Sequence, residues 1–516
     1  MPSCASDWLL KTLLRDSWEF DGYVTSDCDA DHDVFFSHHY TNSTSEAVAA
    51  ILRAGTDVDC GKFMKLYAPA ALIDGSITEA DIDTVLARLF KVRIRLGSFD
   101  PPGVLQTIGL ENVCSPYARE LARDGVRQSV VLLKNDKNTL PLNASKIGSA
   151  VVIGPNINIT DTVNYYGGEP CDHAYNNMID ALTQHVSSTT FLAGVPDVGS
   201  NDTSGVAAAA AAAAAADLVV LAVGSDLLLE REGHDRTVIA FSDGQLALIA
   251  AVVAAAKGPV VAVVFGGGAT DITPLMVEGV EAILWVGQPS VQVVGVGDVI
   301  FGKTLDGRAV APAGRMSQMI YNADYVNQVS LFDFGMRPGT SPWPPGTNPG
   351  RTYRFYTGTP VVPFGFGLGY TTWAYTPLPG PTPPSLAALA AAADAHAATG
   401  VIGHIPASLK KTAVDFYVNV TNTGAVDSDD VVLGFFVPPG AGVGGVPLQE
   451  LFGFERVHVP AGQTVTVYLG AQGVRFTQAG EDGVRRALGG EYTVRFGVRE
   501  TAAGGMGFAE TKIVIA

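Results

Sequence analysis

Four unbroken apolar runs constrain the fold of this chain more than any other feature: GSAVVIGPN (148–156), DLVVLAVGSD (217–226), GPVVAVVFGG (258–267) and VEAILWVGQ (280–288). Each is bounded by Gly, Pro or Asp, and helix-prone stretches separate them. A strand in which every residue is apolar keeps both faces out of water. That is the condition of a mainly parallel sheet covered by helices on both sides. Such a sheet places ligand-facing residues just beyond the carboxyl ends of its strands.

The flanking regions read differently. From Asp7 to about Asp100 the pattern predicts a helix at 6–17, a strand at 21–26, a helix at 45–55, a short strand at 56–59, and helices at 62–74 and 78–96. Ser45 before Glu46, and Thr78 before Glu79 and Asp81, are helix starts; Gly55 and Gly97 are stops. Two strands cannot make a domain. A proline-rich break, TPLPGPTPPSL (376–386), is followed by alanines, and from 412 onward period-two segments separated by turns predict a β-sandwich. The chain is therefore an α/β multidomain protein, divided at 1–115, 116–375, 376–411 (linker) and 412–516. A length of 516 residues favours about three domains.

Charge and cysteine usage narrow the function. A net charge of −18 opposes nucleic-acid phosphates and fits neutral substrates. The five cysteines, Cys4, Cys28, Cys60, Cys114 and Cys171, lack metal-ribbon spacing and leave at least one thiol without an internal partner. Sequons begin at Asn42, Asn143, Asn158, Asn201 and Asn419, which fits secretion. The N-terminal stretch does not read as a signal peptide, and residues 8–18 alternate as an amphipathic helix, so the chain is expected to start inside folded structure. The alanine run from Val206 is broken by Asp217 and reads as a helix entering a strand, not a membrane span.

Two stretches invite a chemical reading and one of them fails. GDVIFGKT (297–304) satisfies a phosphate-loop pattern literally, but Val299, Ile300 and Phe301 prefer burial and no helix start follows. The other is carboxylate chemistry. FDGYVTSDCDADHD (20–33) meets Asp27, Asp29, Asp31 and Asp33 directly after a β run, and GSDLLLEREGHDR (224–236) carries Glu230, Glu232 and Asp235 after the strand LVVLAV. The alternatives are a polar loop capping the next helix and a solvated loop paired with Arg231 and Arg236. Two carboxylates at strand ends suggest glycoside hydrolysis, in which one attacks the anomeric carbon and the other carries the proton.

The stretches PSCASDWLLKTLLRDSWEFDGYVTSDCDA, AGTDVDCG, SVVLLKNDKNTLPL, VVIGPN, LEREGHDR, GRTYRFY and PFGFGLGYT run in order from residue 2 to about 372, and VNVTNTG with LFGFERVHVPAGQTVTV extends the series. Together they resemble glycoside hydrolase family 3, and within it the fungal and plant β-xylosidases. The resemblance implies a (β/α)8 barrel, an α/β sandwich and a C-terminal fibronectin type III-like domain. Only the last part of that barrel is expected here, as if the chain were truncated at its N-terminus. It further implies Asp27 as catalytic nucleophile and Glu230 as acid/base, with Glu232 as the alternative. Cys28 after the nucleophile resembles the xylosidase pattern, where glucosidase members usually carry Trp.

The activity so implied is retaining, exo-acting release of β-D-xylose from xylo-oligosaccharides outside the cell. α-L-Arabinofuranosides, β-glucosides and a non-catalytic remnant that binds carbohydrate are the alternatives. No metal or organic cofactor is required. A retaining route needs the carboxyl groups ~5 to 5.5 Å apart. The nucleophile should be ionised among hydrogen-bond donors, and the acid should sit where its pKa is raised. Cys4, Cys28 and Cys60 are expected near one another, with the pairing open.

Overall fold

The computed structural model describes residues 1–158, 170–171, 175–342, 345–380, 382–397, 407–480, 482–498 and 506–516. It forms two compact units, one made of Met1–Asn112 with two short later segments, the other of most of the remaining chain. Residues 159–160 of the sequon at Asn158 and part of the linker expected at 376–411 lie outside the described residues.

In the larger unit, the apolar runs become strands of one six-stranded sheet. These are β1 (Val131–Asn135), β2 (Ala150–Ile153), β3 (Thr189–Leu192), β4 (Leu218–Gly224), β5 (Val260–Phe265) and β6 (Ala282–Gly287). Their order is β1-β6-β5-β4-β2-β3, with β1 antiparallel to β6 and every other pair parallel. Period-two alternation explains why the runs are apolar throughout. Val220, Ala222, Val261 and Val263 point into one core, while Val219, Leu221, Ala262 and Val264 point into the other. Helices Pro116–Ser129 and Gly295–Phe301 close the first core, and Val206–Ala215 and Asp243–Ala255 close the second.

The edge strands β1 and β3 escape the pattern. β3 has four residues, and its Phe191 is exposed, so no apolar run marks it. The phosphate-loop look-alike is instead the buried helix Gly295–Phe301, ended by Gly302 in the left-handed region. Its Asp298, fully buried, accepts Arg123 Nε and Nη2 and Arg127 Nε, each at 2.7 Å, and faces His185 Nε2 at 3.2 Å. The alanine run is a helix of ten residues that enters β4. Among the described residues no helix is long and apolar enough to cross a membrane.

The C-terminal part is two antiparallel sheets. Strands Trp373–Pro377, Thr412–Asn422 and Thr464–Gln472 make one; Ser428–Val437, Glu450–Val459, Gly490–Gly497 and Phe508–Ile515 make the other. The strand Trp373–Pro377 takes in the first two residues of the proline-rich break, and the alanines after that break form a helix, Leu386–Ala397, where a linker was expected. Buried Asp430 joins these sheets to the rest of the unit, accepting the Tyr375 hydroxyl at 2.5 Å and pairing with Arg315.

The smaller unit has a helical stretch Trp8–Ser17 and helices α1 (Ala30–Phe36), α2 (Thr44–Ala54), α3 (Phe63–Ile73) and α4 (Glu79–Arg95). Thr78 and Asp81 cap α4 reciprocally, and Gly55 ends α2 at φ +114°. Ser43, not Ser45, caps α2. The two expected strands reduce to one parallel bridge, Thr25 with Val58, and no closed barrel occurs among the described residues. What holds the bridge is charge: the buried side chain of Asp57 accepts Arg15 Nη2 at 2.6 Å, Arg88 Nη1 at 2.9 Å and the Val24 N–H at 2.8 Å.

Asp298 yields a stability prediction. Its burial opposes ionisation, but His185, Arg123 and Arg127 outweigh that and hold its pKa down at about 2. The stabilisation is complete above the ordinary carboxylate range and is lost as pH falls from about 4 towards about 2. Asp298→Asn leaves buried guanidinium groups uncompensated and destabilises by about 3–5 kcal/mol at neutral pH. Urea titrations at neutral and acid pH should show that gap narrowing in acid; equal midpoints at neutral pH would refute it.

Candidate active site

Asp27 follows the Thr25–Val58 bridge at the start of a short loop. Ser26 donates its N–H to Val58 O at 2.8 Å, and its hydroxyl accepts the Cys60 N–H at 2.9 Å. Asp29, in the left-handed region at φ +63°, donates its N–H to Cys60 O at 2.7 Å. A Cys28–Cys60 disulfide closes the same contact, which settles the pairing among three nearby cysteines and leaves Cys4 as the thiol. Asp27 is exposed, and its Oδ1 accepts the Cys28 N–H at 2.7 Å. No cationic side chain of the described residues pairs with it, where positive charge was expected.

The other aspartates divide by environment. Asp33 accepts the Ser37 hydroxyl at 2.6 Å within α1. Asp31 is fully buried, and neither carboxylate oxygen has a hydrogen-bond partner of good geometry. Burial first, and the Asp59 charge second, raise its pKa to about 7. Burial and the facing Asp31 push the Cys4 thiol up to about 12, so it stays protonated.

In the larger unit, β4 ends at Gly224, where a Cβ would lie 1.9 Å from Phe265 O on β5; only glycine allows this approach. The chain then runs through Ser225 into the acidic loop. Glu230 turns back towards the strand ends. Its Oε1 accepts the Ser225 hydroxyl at 2.6 Å and the N–H groups of Gly267 at 2.5 Å and Gly268 at 3.3 Å, and its Oε2 accepts Arg236 Nη1 at 2.8 Å. Burial pushes its pKa up, but Ser225, Arg236 and the Gly267 N–H outweigh burial and leave it below the ordinary value. This corrects the expectation that the surroundings of Glu230 raise its pKa. The donors that overturn it are first Ser225 and Arg236 of the same loop, joined by the Gly267 N–H from another strand end.

Two residues further on, Arg231 and His234 exchange backbone hydrogen bonds at 3.3 and 2.9 Å, closing a tight turn with Gly233 at φ +71°. Glu232 sits at the tip of this turn and is exposed, as is Asp235. Of the two arginines, Arg231 Nη1 donates to Leu227 O at 3.0 Å, while Arg236 pairs with the loop carboxylate of Glu230.

A cavity of about 530 Å³ opens beside Glu230 and Arg236, with Tyr321, Tyr325, Phe332 and Arg351 on its walls. Tyr321 and Tyr325 stack with centroids 4.0 Å apart, and their hydroxyls are engaged by Thr352 N–H and Gly350 O. Sequence reasoning missed these tyrosines. The only nearby signal was the GRTYRFY stretch containing Arg351. Among the described residues no group of three His, Cys, Asp or Glu is placed to hold a metal.

Comparison with known proteins agrees with this layout. Residues 1–92 match the glycosyl hydrolase family 3 N-terminal domain and residues 130–370 match the glycosyl hydrolase family 3 C-terminal domain. The chain belongs to glycosyl hydrolase family 3. It is 36% identical over 513 residues to beta-D-xylosidase 1 of Arabidopsis thaliana, covering 96% of this chain and 64% of that protein. It is 38% identical over 511 residues to the probable exo-1,4-beta-xylosidase xlnD of Neosartorya fischeri, covering 97% of this chain and 62% of that one. The chain thus spans less than two thirds of the length of these relatives. Its fold is similar to that of the GH3 exo-beta-xylosidase XlnD in complex with a xylobiose aziridine probe, with a TM-score of 0.83 and 30% identity over all of this chain and 65% of that one.

The donor set makes a direct prediction. Arg236→Gln removes one of the groups that hold Glu230 ionised and so raises its pKa. Carboxyl titration of samples labelled with 13C-glutamate, compared with a Glu230→Gln sample to find the signal, measures the direction. A wild-type Glu230 that titrates above an ordinary glutamate would contradict the geometry.

Proposed function

We propose that this chain carries the carboxylate pair of a retaining, exo-acting β-xylosidase, with Asp27 as nucleophile and Glu230 as acid/base, Glu232 of the same loop being the alternative. The observation that carries the reading is similarity along nearly the whole chain to proteins named as xylosidases. The likeness to an exo-β-xylosidase captured with a xylobiose-derived probe supports xylo-oligosaccharides as the substrate class. The domain division at 115, 375 and 411 belongs to the same reading. So does an extracellular setting, supported by the disulfides Cys28–Cys60 and Cys114–Cys171.

In the first step Asp27 attacks the anomeric carbon while the acid protonates the departing glycosidic oxygen, so one C–O bond forms as another breaks. In the second, the same group takes a proton from water, which displaces Asp27 and restores the β configuration. The acid must begin protonated. Glu230 lies among four donors at the strand ends, and its protonation requires a substrate to displace some of them. Glu232, the alternative, lies on the exposed turn of the same loop.

A second reading has one observation in its favour. The smaller unit shows a single strand bridge among the described residues, which suits a chain that binds carbohydrate without turning it over.

Hydrolysis of aryl β-xylosides and α-L-arabinofuranosides by the folded chain separates the readings. Turnover of the xyloside is expected, lost in Asp27→Ala. Glu230→Gln should lower the rate on substrates with poor leaving groups by about 10²–10⁴-fold, with azide restoring an activated substrate. Rescue at Glu232→Gln alone would move the acid/base role to Glu232. No turnover in a folded, soluble sample would leave the carbohydrate-binding reading.

A further inference from the structure

The sequon at Asn419 lies on a regular strand, and the strand gives it a setting that its sequence does not announce. Thr412–Asn422 is the central strand of the three-stranded sheet, paired with Thr464–Gln472 on one side and Trp373–Pro377 on the other. Along it, Val418 and Val420 are fully buried, so Tyr417, Asn419 and Thr421 share the opposite, outward face. Directly across lie Tyr468, Thr466 and Thr464. The two tyrosines are 45% and 47% exposed, with ring centroids 5.4 Å apart. A large aromatic pair left in water in the middle of a sheet face is unusual, and it adjoins a glycan acceptor.

The amide is also oriented for modification. Thr466 donates its hydroxyl to Asn419 Oδ1 at 2.8 Å, which fixes the amide plane and leaves Nδ2 without a hydrogen-bond partner among the described residues. Nδ2 is the atom that carries an N-linked sugar. The hydroxyl of Thr421, the third residue of the sequon, meets that of Thr464 at 2.8 Å.

We propose that Asn419 is an N-glycosylation site whose first N-acetylhexosamine lies on the Tyr417–Tyr468 platform. In the transfer, Nδ2 forms a bond to the anomeric carbon of a lipid-pyrophosphate-linked oligosaccharide. The bond from that carbon to the phosphate oxygen breaks, the lipid pyrophosphate leaves, and the amide gives up a proton. A pyranose has one face made of C–H bonds, which matches the electron-rich face of an aromatic ring. Sugar and ring then cover each other, and the exposed tyrosines lose their contact with water.

The remaining described sequons lack this arrangement. Asn143 and Asn201 follow Pro141 and Gly199 at the position Tyr417 occupies here. Asn42 follows Tyr40, but the chain turns into α2 at Ser43, so no strand holds the two on one face.

The test is independent of catalysis. The full chain, secreted from a eukaryotic host, is digested and its Asn419 peptide examined by mass spectrometry before and after glycan release in H2-18O. Full or major occupancy is expected. Trimming to a single sugar should preserve a thermal midpoint a few degrees above that of Asn419→Gln, and Tyr417→Ala with the sequon intact should lose that increment. An unmodified Asn419 where Asn42 or Asn143 is occupied overturns the proposal. So does occupancy with no change in midpoint in either variant. Retention of the unglycosylated chain on insoluble xylan, abolished by Tyr417→Ala, would instead make the face a polysaccharide platform and likewise overturn it.

Discussion

Strands β4 and β5 pair with no water on either face, and this pairing sets the position of everything the acidic loop does. Both strands are buried at every residue. Their backbones can satisfy their hydrogen bonds only through the sheet, so the register cannot drift without exposing apolar side chains or orphaning polar groups. The two strand ends then emerge side by side, one delivering Ser225 and the Glu230 loop, the other the Gly266–Gly268 turn. Glu230 links them. Its carboxylate closes the gap between the loops, and the arrangement rests on glycines: a Cβ at Gly268 would lie 3.2 Å from Glu230 Oε2.

Burying a carboxylate is costly unless donors surround it, and the chain shows both outcomes. Asp57, Asp298 and Asp430 lie out of water against arginines, and each joins segments distant in sequence. Asp31 is equally buried but faces a thiol and the charge of Asp59 instead. The first three fasten the fold. Asp31 stays close to neutral pH in its titration and so contributes little of that kind.

The sequence showed most clearly what rests on repetition. The four apolar runs became β2, β4, β5 and β6 within about two residues at each end, and α3 and α4 began and ended near their expected caps. Short or one-sided elements were less legible: β3 sits at a sheet edge, where exposure removes the apolar run, and β1 is only five residues long although its Val131–Leu133 are buried. The expected strands at 21–26 and 56–59 shrink to one bridge because Asp57, buried for its arginines, takes the place of an apolar pair. At the candidate site, Asp27 and the acidic loop could be found from strand ends and family resemblance. The state of Glu230 could not, because the Ser225 hydroxyl, Arg236 and the Gly267 N–H converge on its carboxylate only once the loop has folded back over the strand ends. The tyrosines of the neighbouring cavity were hidden by their distance along the chain.

The Cys28–Cys60 link has a consequence for the unfolded molecule. It closes a loop with a sequence separation of 32 residues, a restriction that disfavours the unfolded chain by roughly 3 to 4 kcal/mol in the chain-entropy view. Asp27 and the 58–60 segment therefore remain neighbours after the hydrogen bonds around them have melted. A molecule that loses its shape keeps a covalent memory of where the proposed nucleophile belongs.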